Sequence, residues 1–161
     1  MEKISFSLLR SKDIIAILDG DRVFGELSFA DKYGNKKSIR IAMPYLSGPM
    51  ICEISSFFGL PITYSWVGGA LSRWKYFDDA MEFCIKQNRL SDFLSYLFAK
   101  DKFINVLKDL PVQDIQPTYE VIIQKVLEQI NSILSFGGQE LCVIGGVYQV
   151  CNTGEIVSVA A

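Results

Sequence analysis

Tyr119-Glu-Val-Ile-Ile-Gln-Lys-Val-Leu-Glu-Gln-Ile-Asn-Ser-Ile-Leu-Ser-Phe-Gly-Gly-Gln-Glu-Leu-Cys-Val-Ile-Gly-Gly-Val-Tyr-Gln-Val150 changes its hydrophobic period part-way through, and that change decides the fold class. Tyr119, Ile122, Ile123, Val126, Leu127, Ile130, Ile133 and Leu134 recur at spacings of three and four. Glu120, Gln124, Lys125, Glu128 and Asn131 lie opposite them. That pattern predicts an amphipathic helix after Pro117, stopped at Gly137-Gly138. Beyond it, a two-residue Gly145-Gly146 turn predicts a hairpin that pairs Ile144 with Val147, Val143 with Tyr148, Cys142 with Gln149 and Leu141 with Val150. Leu141, Val143, Tyr148 and Val150 then share one face. Cys142, Ile144, Val147 and Cys151 share the other, with Gln149 its one polar member. A two-stranded ribbon with two apolar faces does not stand alone. The second face is therefore expected to be covered, by the domain's own sheet, by the rest of a longer protein or by a second copy.

Upstream, Ser11 and Asp13 open a helix over 12–19. Residues 23–29 and 38–43 read as two strands around a Gly/Asn turn, ended by Pro44. Leu46-Ser-Gly-Pro49 has the chemistry of a second helix start, with Gly59 as its stop. Pro61-Ile-Thr-Tyr-Ser-Trp-Val67 is β-branched and aromatic and is predicted to be a strand. Three further helices are predicted: one capped by Ser72 and ending near Asn88, one capped by Ser91, and one over 102–110 before Pro111. The sum is a single α+β domain over 1–161: a small mixed or antiparallel sheet, built from the early hairpin, the middle strand and the final hairpin, against five or six helices.

The 161 residues contain no histidine. This removes imidazole bases, Ser-His and Cys-His nucleophile pairs and His-ligated metals, so a non-enzymatic chain with no cofactor or metal is expected. A net charge of −2 argues against a surface adapted to phosphate backbones. Cys52, Cys84, Cys142 and Cys151 show no CxxC spacing and are expected to be free, buried thiols in a reducing cytoplasm. The uncharged run Ile54–Ser72 is broken by Gly59, Pro61 and Gly68-Gly69, so no membrane span is expected.

Two weak sites compete with bland alternatives. Gly68, Gly69, Ser72, Arg73 and Lys75 form a glycine-rich entry into a helix N-terminus that could hold an anion, the alternative being an arginine packed on its neighbours. Lys32, Tyr33, Lys36, Lys37 and Arg40 cluster at the first hairpin turn and could touch nucleic acid, the alternative being a solvated edge guarded by lysines. Lys86 and Arg89 join that second reading if the helices and final hairpin form a winged helix.

Met43-Pro-Tyr-Leu-Ser-Gly-Pro-Met-Ile-Cys-Glu-Ile54, Phe57-Phe-Gly-Leu60, Leu71-Ser-Arg-Trp-Lys-Tyr-Phe-Asp-Asp79, Ile130-Asn-Ser-Ile-Leu134 and the terminal hairpin together resemble the amino-terminal region of AbiJ-like abortive-infection proteins of bacteria. The resemblance covers nearly all of the chain. It implies a phage-defence protein that continues into a helical HEPN domain with an Arg-x4-His ribonuclease motif. That motif needs a histidine, so no catalytic residue carries over. The expectation is a fragment that senses infection or restrains its own carboxy-terminal domain, through the Cys142, Ile144, Val147 and Cys151 face, with homodimerisation as another use of that face. The alternative function is a winged-helix-like nucleic-acid-binding module.

Overall fold

The computed structural model describes residues 4–65 and 72–153. Helix α1, Lys12–Leu18, begins where the Ser11 side chain accepts the Ile14 N–H, and it buries Ile14, Ile15, Ile17 and Leu18. A helix apolar on most sides belongs at the centre of a core. Helix α1 packs against α3 (Arg73–Lys86) and α6 (Val112–Leu134); α2 (Gly48–Phe57) and α4 (Leu90–Phe98) pack on α3, and the short α5 (Ile104–Leu107) packs on α6. Phe77, Phe93, Phe98 and Phe103 are the largest side chains sealed among them. Arg10 fastens the amino-terminal segment to α3, its Nε 2.7 Å from Asp78 and its Nη2 2.7 Å from Glu82.

The fold is α+β, with two hairpins. Strands β1 (Glu26–Ala30) and β2 (Lys36–Arg40) pair antiparallel, as do β3 (Gln139–Ile144) and β4 (Val147–Asn152). The β3–β4 register is the one its sequence predicts, from Ile144 opposite Val147 to Leu141 opposite Val150. Gly145 and Gly146 both take positive φ, 59° and 81°, as a two-residue turn between twisted strands demands.

Several boundaries differ from expectation. Among the described residues the hairpins form two separate two-stranded sheets, and Pro61–Ser65 of the middle segment is not a strand. Pro61 has no N–H to donate, and the backbone around it is satisfied by side chains instead. Ser55 donates to Leu60 O at 2.8 Å, and the Ser65 N–H donates to the Tyr76 hydroxyl at 3.3 Å. Tyr64 lies so close over Gly48 that a Cβ there would sit 2.1 Å from its ring. Trp66 and Val67 lie outside the described residues.

Ser91 is not a cap. Helix α4 starts at Leu90, two residues earlier than a Ser91 cap would place it, behind Arg89, whose guanidinium donates to Phe58 O and lies 4.9 Å from the Phe58 ring. The 102–110 segment divides into a 3-10 turn, Lys100–Phe103, and α5. Helix α6 begins at Val112, before Pro117, with Asp114 in its first turn and Ile115 packed against the core. Pro117 lies close enough to that N-terminus to cost a single bond to the Gln113 carbonyl.

Candidate functional site

Hairpin β3–β4 is mounted from beneath by side chains that leave its backbone little freedom. Asn131, on α6, accepts the Leu141 N–H at 2.7 Å and donates to the Leu141 carbonyl at 3.1 Å. Gln139, buried, donates to Ser5 O at 2.7 Å. On the inner face Leu141 and Val150 are buried, and Tyr148 stacks on Phe98 of α4 with ring centroids 4.6 Å apart and planes 8° from parallel. Tyr119 donates its hydroxyl to the Phe98 carbonyl beside that stack. Burial pushes the Tyr119 phenol up to about 12 and the Tyr148 phenol upward. Two tyrosines held neutral make this a packing contact.

The opposite face points to solvent. Ile144 is 57% exposed and Val147 40% exposed, side by side at the turn. Val143 is assigned to the inner face by alternation, yet it is 46% exposed. Three aliphatic side chains thus cluster at the tip of a rigidly seated ribbon. Cys142 and Cys151 continue this face toward the strand ends, half-buried, with sulfurs 2.9 Å apart. The expectation of buried thiols holds for Cys52 and Cys84 and not for these two. Their strands present one face to the helices, and the thiols project from the other.

The suggested anion site is arranged differently from its sequence reading. Arg73 Nε donates to Leu46 O at 2.8 Å, its Nη2 lies 3.5 Å from an Asp19 carboxylate oxygen, and its guanidinium stacks 4.3 Å from the Tyr45 ring. Lys75 reaches Asp79 at 2.6 Å. Ser72 sits at the N-cap without a side-chain cap bond. Gly68 and Gly69 lie outside the described residues. Arg73 thereby clamps the end of α1 to the segment before α2. Asp19, 2% exposed, is pushed up to about 6 by burial, against the lowering effects of the Asp21 N–H and Arg73.

The first hairpin does gather Lys32, Tyr33, Lys36, Lys37 and Arg40 on one exposed arm. Alternation divides them: Lys36 and Arg40 share a face of β2, and Lys37 takes the other. Lys32 Nζ hovers 5.5 Å from the Tyr33 ring. Lys86 is paired with Glu82, and Arg89 is held by Phe58 O.

One feature escapes sequence reasoning. A half-open apolar cleft of about 460 Å³ lies between α2, α4 and the Met43–Leu46 segment, walled by Met50, Phe57 and Tyr96 with Glu53 and Lys102 at its mouth. Its walls come from widely separated segments, so no motif announces it. Among the described residues, no group of three or more His, Cys, Asp or Glu side chains is placed to hold a metal ion, and no helix is long and apolar enough to cross a membrane. Comparisons with protein-family models, curated proteins and solved structures returned no match.

Proposed function

We propose that this chain is a non-catalytic regulatory module of a cytoplasmic, abortive-infection-type defence protein, and that it docks the outer face of β3–β4 on a helical HEPN-type ribonuclease domain of the same protein. The observation that carries this reading is the exposed pair Ile144 and Val147 on the outer face, extended at the hairpin tip by Val143, on a hairpin whose inner face is seated through buried Leu141 and Val150. Burying such a cluster returns about 25 cal/mol per Å² of apolar surface, enough for three aliphatic side chains to contribute several kcal/mol. The resemblance of residues 43–54, 57–60 and 71–79 to AbiJ-like proteins supports the identity of the partner. The test is the ribonuclease activity of the protein carrying both regions, with and without Ile144→Lys. The expected outcome is a change in basal activity of tenfold or more with an unaltered melting curve for the module. Unchanged activity would refute the docking role.

A second reading, contact with nucleic acid, draws support from Lys32, Lys36, Lys37 and Arg40 around the exposed Tyr33. A mobility-shift series across salt concentrations, with Lys36→Glu as the control, decides it. Retardation that weakens steeply with salt and disappears in the variant would favour it.

A further inference from the structure

The thiols of this protein are of two kinds. Cys52 and Cys84 are sealed in the core at 4% and 1% exposure, and burial pushes both upward from the ordinary thiol value. Cys142 and Cys151 stand half-exposed on the outer face of β3–β4. The register explains why they meet. Cys142 is opposite Gln149 and Cys151 is opposite Glu140, so the two are diagonal neighbours on one face of antiparallel strands. Their sulfurs are 2.9 Å apart. A disulfide holds its sulfurs about 2.05 Å apart, so closure asks for roughly 0.9 Å of approach between side chains on strands already in register.

We propose that Cys142 and Cys151 form a dithiol site that accepts a low-molecular-weight disulfide, such as oxidised glutathione, and closes to a disulfide within the hairpin. In the first exchange the Cys151 sulfur gives up its proton and attacks one sulfur of the small disulfide. That S–S bond breaks, and one small thiol leaves with the electron pair and a proton. In the second, Cys142 gives up its proton and attacks the Cys151 sulfur of the mixed disulfide, expelling the second small thiol with its own electron pair and proton. Two protein thiols are oxidised, one small disulfide is reduced to two thiols, and no other reactant enters.

The order of attack follows from the surroundings. Burial, aided by the neighbouring Cys151, pushes the Cys142 thiol up to about 11, and the Cys142 Sγ–H is already engaged by a backbone carbonyl, which fits it to the resolving step. Gln149 O accepts from Cys142 Sγ at 3.6 Å and keeps that thiol directed across the strand.

The experiment treats the native chain with oxidised glutathione at mildly alkaline pH and follows intact mass, free-thiol titre and peptide maps. The expected product is two hydrogens lighter than the reduced chain, with free thiols falling from four to two and a link between Cys142 and Cys151. Cys142→Ser is expected to stop at one stable glutathione adduct on Cys151, with an unaltered melting curve showing that the hairpin still folds. Adducts on the wild-type chain without closure, cross-linking between chains, or four thiols that stay free would each overturn the proposal. So would a Cys142→Ser chain that carries no adduct.

Discussion

The two hairpins of this protein share a plan and differ in what they do with their faces. In β1–β2 the turn is locked by Asp31, whose Oδ1 accepts the N–H groups of Tyr33 and Asn35 at 2.9 and 2.8 Å. Its strands carry Lys36, Lys37 and Arg40 in solvent, and contact with the body rests on half-buried Phe29 and Ile39 and a bond from the Lys32 N–H to Asp109 O. In β3–β4 the polar fixings lie underneath, at Asn131 and Gln139, and the apolar side chains lie on both faces. A hairpin that is charged outside is protected against pairing with a neighbour. A hairpin that is seated from below and apolar outside lacks that protection. The contrast supports β3–β4 as the surface that meets a partner and β1–β2 as a solvated arm.

The largest test of that contrast is Leu141→Ala. It removes a buried aliphatic side chain from the seat of β3–β4 and is expected to cost about 2–5 kcal/mol in denaturant unfolding. A loss under 1 kcal/mol would mean that the hairpin is not seated as described.

A pH series next separates the helical body from both hairpins, because Asp19 sits at the end of α1. Its folded value, about 6, lies above the ordinary 3.8. Between those values the unfolded chain has released the proton that the folded chain retains, so stability falls as pH rises through the window and is greatest below it. A displacement of about 2 units corresponds to roughly 3 kcal/mol. Asp19→Asn is expected to flatten this slope in melting curves taken from pH 4 to 7. An unchanged slope would assign the titration elsewhere.

Asn131→Ala removes both bonds to the Leu141 backbone and is expected to cost about 1–3 kcal/mol, with amide exchange accelerated in β3–β4 and unchanged in β1–β2. The smallest effect belongs to the arm. Lys36→Ala and Lys37→Ala are expected to shift stability by no more than about 0.5 kcal/mol, since both side chains are exposed.

Much of this architecture was legible in local chemistry. The stripe from Tyr119 to Leu134 and the Gly145-Gly146 turn are local signals, and the observed pairing of β3 with β4 follows residue by residue. The β propensity of Pro61–Ser65 misleads because it reports a side chain's fit to a pleated surface, whereas here Ser55 and Tyr76 supply the polar partners. Arg89 displaced Ser91 as the start of α4 through a contact with Phe58, far away in sequence. The apolar outer face was visible from alternation, but which thiols would be buried was not. Burial of Cys52 and Cys84 depends on how α2 and α3 face each other, and that is a tertiary matter.

We propose that the outer face of β3–β4 is a docking surface. It is tested most directly by measuring association between this chain and the HEPN-type domain calorimetrically, comparing Val147→Lys with Lys37→Glu, each variant checked by its melting curve. The expected result is at least a tenfold weakening for Val147→Lys, none for Lys37→Glu, and melting temperatures within a few degrees of the wild type for both. Equal affinities for the two variants, or a Val147→Lys chain that no longer folds, would contradict it.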